Sequence, residues 1–139
     1  PDPYMHIFMD AGNGNVLAFF ELPQSPDMGS DLNTPKWVQH IAFKVPDMDT
    51  LLEAKERIEN LGVEVLGPID HTLFKSIYFF DPSGHRLELA TNTAQPGMLE
   101  ELHRVAPAML EEWDQTKRAP QHAAWLHDET KSFKKGTSV

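Results

Sequence analysis

His71–Glu88 reads HTLFKSIYFFDPSGHRLE, and Asp81-Pro82-Ser83-Gly84 within it is a turn. Proline fixes φ, glycine supplies a positive φ, and β-rich runs flank both sides. Lys75–Phe80 and His85–Ala90 are therefore predicted to pair as antiparallel strands. Side chains alternate across a sheet, which puts Ile77 and Phe79 on one face and Leu87 and Leu89 beside them as core. The opposite face carries Ser76, Tyr78, Arg86 and Glu88, so it lines a groove or meets solvent. A carboxylate flanked by two leucines needs an explanation.

The chain has 139 residues, one domain's worth, with a 40% hydrophobic fraction that is ordinary for a globular fold. Its apolar runs fall short of the roughly 20 residues of a membrane span, and no signal-peptide pattern opens it, so a cytoplasmic location is expected. With no cysteine, a metal is left to His and carboxylate ligands. A net charge of −9 without a basic stripe argues against nucleic acid and acidic membranes as partners.

Tyr4–Met9 alternates, Asp10-Ala11-Gly12-Asn13-Gly14 is a glycine-rich loop, and Asn15–Leu22 reads as the returning strand. Asp10, Gly14 and Leu17 echo Asp81, Gly84 and Leu87, a weak repeat with a period of about 70 residues. Pro23–Pro35 is polar and proline-rich, a linker. Trp37–Val45 is a predicted strand with Ile41, Phe43 and Val45 on the core face and His40 on the other. Asp47 or Asp49 caps a helix over Thr50–Asn60, its apolar stripe is Leu51, Leu52, Ala54, Ile58 and Leu61, and Gly62 stops it. Val63–Ile69 is a short strand, which makes the order from Trp37 to Ala90 βαβββ.

That order, with HIAF (His40–Phe43) near its start and DPSGHRLEL (Asp81–Leu89) at its end, resembles the vicinal oxygen chelate superfamily of glyoxalases, bleomycin-resistance proteins and type I extradiol dioxygenases. The resemblance covers about Tyr4 to Asn92. It implies an α+β fold of two βαβββ modules forming a cup, here with 1–22 as the last hairpin of an incomplete first module, 23–36 as linker, 37–92 as the second module and 93–139 as a helical C-terminal extension. It further implies that His40 and Glu88 are metal ligands. The extradiol signature of a His, an aliphatic-Tyr pair, an acid-Pro-x-Gly turn and a Glu matches His71, Ile77-Tyr78, Asp81–Gly84 and Glu88.

By this resemblance the expected activity is ring cleavage of a catechol-like aromatic diol by O2 on a non-haem Fe(II), with Mn, Zn or Ni as alternative metals. Such chemistry needs two His and one carboxylate with open positions for both substrate oxygens and O2. His71 and Tyr78 would hydrogen-bond the substrate oxygens and the bound dioxygen. A third protein ligand is expected upstream of Pro1. Where such enzymes carry an acid–base His, the sequence has Asn15, able only to orient a water or substrate oxygen, with His6 on the neighbouring strand as a possible substitute. Glu21, three residues past the match of Ala18 to Glu88, reads as a surface charge. The alternatives are a glyoxalase-like isomerase or lyase, or a metal-free aromatic-binding or resistance protein.

After Asn92 two helices are predicted, Met98–Val105 and Ala108 to about Lys117, separated at Pro107. Leu99, Leu102, Val105, Met109, Leu110 and Trp113 form an apolar face for core or subunit packing, and a homo-oligomer is expected. Gln121–His127 is a further helical turn, and Lys131–Val139 is expected to be loose.

Overall fold

The computed structural model describes residues 3–27 and 29–133. The order is β1 (Met5–Asp10), β2 (Val16–Glu21), β3 (His40–Lys44), α1 (Met48–Asn60), β4 (Leu66–Asp70), β5 (Phe74–Phe80), β6 (Arg86–Asn92) and α2 (Met98–Thr116), with a 3-10 turn at Ala124–Leu126. β3 to β6 build a four-stranded sheet in the order β3-β6-β5-β4, a mixed α+β arrangement with one βαβββ module.

The Asp81–Gly84 turn forms as its residues dictate. The Asp81 carboxylate accepts the Ser83 and His85 N–H groups at 2.9 and 2.8 Å, and Gly84 takes a φ of 87°. β5 and β6 leave it antiparallel, with Tyr78 opposite Glu88 and Phe80 opposite Arg86. β3 joins β6 in parallel, His40 opposite Arg86 and Ala42 opposite Glu88. β3 begins at His40 rather than Trp37 because β6 begins at Arg86. Residues before His40 face a turn, and Val38 N–H instead closes one on the Pro35 carbonyl. β6 runs on past Ala90 to Asn92, since Phe74 on β5 is there to pair with it.

α1 starts where Asp47 accepts the Thr50 N–H at 2.8 Å, and Gly62, at φ 81°, follows its end. It lies against β5 and β6, and Leu51, Ala54 and Ile77 form the buried centre. Of the predicted stripe, Leu52 and Leu61 are instead exposed, because the helix meets the sheet along a line narrower than the whole apolar arc. Ile41 on the edge strand β3 is also 41% exposed.

β4 starts at Leu66, three residues later than predicted. Its register with β5 shifts between Leu66 opposite Tyr78 and Ile69 opposite Ser76, and Gly67-Pro68 occupies the shift. Gly67 has φ 109°, and a Cβ there would stand 2.6 Å from the Ser76 carbonyl oxygen, so β4 approaches β5 more closely than any side chain permits.

The two predicted C-terminal helices are one, Met98–Thr116, with Pro107 inside it. Proline deletes a single i to i−4 bond, and the remaining ladder of a 19-residue helix carries the chain through. Met98 and Val105 are buried, whereas Leu99, Leu110 and Trp113 on the predicted apolar face are about half exposed or more. Of Gln121–His127, only Ala124–Leu126 is helical. Beyond Phe133 the predicted loose terminus lies outside the described residues.

β1 and β2 form a separate two-stranded sheet, Met5 opposite Glu21 through Asp10 opposite Val16. Both of its faces are apolar and exposed. Met5, Ile7, Met9 and Phe19 crowd one face, and Tyr4, Phe8, Val16 and Phe20 the other.

Candidate metal and substrate site

The polar face of β3, β5 and β6 gathers four of the residues singled out from sequence. His40 Nε2 stands 2.8 Å from Glu88 Oε2, and the carboxylate is 4% exposed. Glu88 Oε1 accepts the Tyr78 hydroxyl at 3.1 Å and the Ser76 hydroxyl. Tyr78 Oη in turn lies 2.9 Å from His71 Nε2. The phenol has one proton and donates it to Glu88, so His71 Nε2 carries the hydrogen that it shares with the phenol oxygen. A continuous chain therefore runs His71, Tyr78, Glu88, His40, while His40 Nδ1 sits 3.2 Å from the Val38 carbonyl oxygen.

The arrangement follows from strand parity. Tyr78 and Glu88 are direct cross-strand partners, Ser76 lies two residues along β5 from Tyr78, and His40 enters from the parallel neighbour. His71 reaches the same point from the β4–β5 corner, where its own N–H bonds to the Phe74 carbonyl and its ring packs 4.8 Å from the ring of Phe74. Asp70, beside it, is engaged locally, accepting the Thr72 N–H at 2.7 Å, and that bond lowers its pKa. Burial, offset by the Ser76 hydroxyl and reinforced by the adjoining Glu88 carboxylate, raises the pKa of the Tyr78 phenol.

As a donor set, His40 and Glu88 suit a divalent ion. Two cis ligands, each about 2.1 Å from a first-row metal, stand about 3 Å apart, close to the 2.8 Å between Nε2 and Oε2. Glu88 Oε1 is already committed to two hydroxyl donors, which leaves Oε2, the oxygen that faces His40, to meet a metal. Among the described residues no third His, Asp or Glu joins the pair.

His6 and Asn15 are not brought to this cluster. His6 packs between Phe8 and Phe20, with ring centroids 4.6 and 4.8 Å away, and the Asn15 side chain donates to the Gly12 carbonyl within its own loop. Glu21 pairs with Met5, on the opposite face of that hairpin from His6. Two residues given no role in sequence belong to the site: Ser76, fully buried on Glu88, and Arg86, whose Cζ lies 4.4 Å from the centre of the Tyr78 ring. Their shared parity with Tyr78 and Glu88 was the signal.

Comparison with known proteins bears on the whole of this region. The family model described as the Glyoxalase/Bleomycin resistance protein/Dioxygenase superfamily matches residues 2–89. A Bacillus subtilis protein bearing the name ring-cleaving dioxygenase MhqA is 27% identical over 86 residues, 62% of this chain and 27% of that protein. Lactoylglutathione lyase of Pseudomonas aeruginosa is 38% identical over 55 residues, 40% of this chain and 30% of the enzyme. The chain thus spans less than a third of the length of either relative. A crystal structure of the fosfomycin resistance protein FosX of Listeria monocytogenes, complexed with Mn(II) and sulfate, is 33% identical, covering 55% of this chain and 58% of that one with a TM-score of 0.37. The match to the family model takes in the first hairpin, the β5–β6 turn and the His40–Glu88 pair and extends over more than half of the 139 residues, so the chain belongs to the glyoxalase/bleomycin resistance protein/dioxygenase superfamily.

Proposed function

We propose that the chain is the metal-binding part of an extradiol-type dioxygenase that opens the ring of a catechol-like diol with O2, with His40 and Glu88 as two ligands of a non-haem Fe(II). The observation that carries this reading is the unbroken contact chain from His71 through Tyr78 to Glu88 and His40. A bound Fe(II) supplies the centre at which diol and O2 meet. The protein's own part is proton handling and positioning. Tyr78 can turn its hydroxyl from Glu88 to a substrate oxygen, and the His71 Nε2–H, 2.9 Å behind it, holds the phenol oxygen and can replace a proton that the phenol gives up. Ser76 keeps Glu88 Oε1 occupied while Tyr78 turns, so the carboxylate stays aimed by Oε2. The third ligand, like the roles of Asn15 and His6, depends on residues beyond this cluster.

The test is oxygen uptake by anaerobically Fe(II)-reconstituted protein on addition of a panel of catechols, with absorbance followed for the yellow ring-opened product. Uptake matched to product is expected, with Tyr78→Phe lowering turnover while metal is retained. A second reading, a metal-dependent lyase or isomerase, is favoured by the higher identity to lactoylglutathione lyase, 38% over 55 residues. Iron bound without any oxygen uptake would shift weight to it.

A further inference from the structure

Arg86 occupies a cationic position for which the proposed chemistry has no use. It follows the turn on β6, two residues before Glu88, so both side chains leave the same face of the strand. The row Phe80–Arg86 therefore neighbours the row Tyr78–Glu88 on the site face, about 7 Å along the strands at two residues' spacing. The Arg86 guanidinium lies over the Tyr78 ring, half-buried, and among the described residues no carboxylate is within ion-pair distance of it.

Arg86 also opens onto a cavity of about 540 Å³ between the 29–39 segment and the β5–β6 turn. Lys36, His85 and Arg86 line it, with Gln39 and Phe80. Among the lining residues Asp31 is the one acid, and both of its oxygens are taken, by the Asn33 N–H and the Thr34 hydroxyl. Lys36 and Arg86 outnumber the ionised Asp31, so the lining carries a small net positive charge in an acidic protein, beside the aromatic ring of Phe80.

We propose that Arg86 is a specificity residue that binds an anionic substituent of the substrate, the substrate being an aromatic diol whose ring carries a carboxylate-class group on the side away from His40 and Glu88. This rests on the ring-cleavage reading for the diol, while the anion site itself stands on Arg86 and its cavity. The contact with the Tyr78 ring restrains the Arg86 side chain beside the cavity that it lines, which lessens the ordering an anion would have to impose.

The experiment is calorimetric titration under argon of the chain, both metal-free and loaded with Fe(II), with 3,4-dihydroxyphenylacetate and with its methyl ester. The acid is expected to bind roughly tenfold or more tightly than the ester, the range for a charge-assisted hydrogen bond. Arg86→Gln is expected to bring the acid-to-ester ratio near one, and Arg86→Lys to keep part of it. Because the result is a ratio, a general weakening of the site cancels. If Arg86→Gln fails to fold by circular dichroism, the wild-type ratio measured at roughly 0.05 and 0.5 M NaCl decides, since a charge-based preference shrinks with salt. Equal binding of acid and ester by the wild type, binding of neither, or a preference that survives in Arg86→Gln or is indifferent to salt overturns the proposal. A preference for the acid without oxygen uptake overturns ring cleavage and leaves the Arg86 site standing; uptake without the preference does the reverse.

Discussion

Ser76→Ala separates a carboxylate held by design from one merely buried. Ser76 is wholly enclosed, and its hydroxyl is one of two donors to Glu88 Oε1, the other being Tyr78 at 3.1 Å. Deleting one oxygen atom leaves a gap too small for water, so the lost bond has no substitute. A hydrogen bond to a charged group contributes about 1.5–3 kcal/mol. With a urea dependence of about 2 kcal/mol per molar, the unfolding midpoint of the metal-free chain should fall by about 1 M. The same substitution made in Glu88→Gln should cost less, giving a coupling of about 1 kcal/mol or more in the double-mutant cycle, because the amide no longer rewards a second donor as a carboxylate does. Metal affinity should drop in parallel by about tenfold, the usual loss when a ligand's supporting contact is removed. A midpoint shift below about 0.2 M, or equal costs in the two backgrounds, would refute the idea that Ser76 fixes this carboxylate.

His40→Ala should weaken Fe(II) or Mn(II) binding by more than about tenfold in a competition assay while leaving the fold intact, since the His40 side chain is 29% exposed on an edge strand. The Tyr78 phenol, its pKa raised chiefly by burial, stays protonated in the folded chain after the unfolded phenol has ionised. Its contribution to stability is therefore complete below about pH 10 and is lost as pH climbs from there through the folded pKa. Denaturation midpoints measured across that range should fall more steeply for wild type than for Tyr78→Phe. Gly67→Ala should destabilise by at least about 2 kcal/mol, from a left-handed backbone and a Cβ driven to 2.6 Å from the Ser76 carbonyl, and a wild-type urea midpoint would contradict that contact.

The βαβββ order of the 37–92 region, and the placing of His40, Tyr78 and Glu88 on one face, were legible because alternation and turn chemistry are local. Asp81 to Gly84 announces its turn, the turn fixes register, and register alone places Tyr78 opposite Glu88. What could not be read was set by neighbours distant in sequence. The start of β3 depends on where β6 begins, the exposure of Leu52 and Leu61 on how α1 settles on the sheet, and the continuity of α2 through Pro107 on a ladder whose cooperativity outweighs one missing bond. The burial of Ser76 escaped for a related reason. A serine on a polar face reads as solvated until the carboxylate it serves is known to be enclosed.

The two hairpins show how little of the site is owed to the backbone. Phe8 opposite Ala18 on β1 and β2 corresponds, 70 residues on, to Tyr78 opposite Glu88, and His6 falls where Ser76 stands. The ladders are equivalent, yet one face carries a phenol, a hydroxyl and a carboxylate within hydrogen-bonding distance, and the other carries Phe8, His6 and Ala18. With Ala at the position of Glu88, His6 has no acid to orient it, and its ring packs against Phe8 and Phe20 instead. A repeated fold thus supplies two places where a carboxylate could enter such a face, and the sequence fills one. Writing Glu at position 18 would restore the pattern without restoring the site, because Phe8 offers no hydroxyl and the carboxylate would lack the two donors that Ser76 and Tyr78 give Glu88.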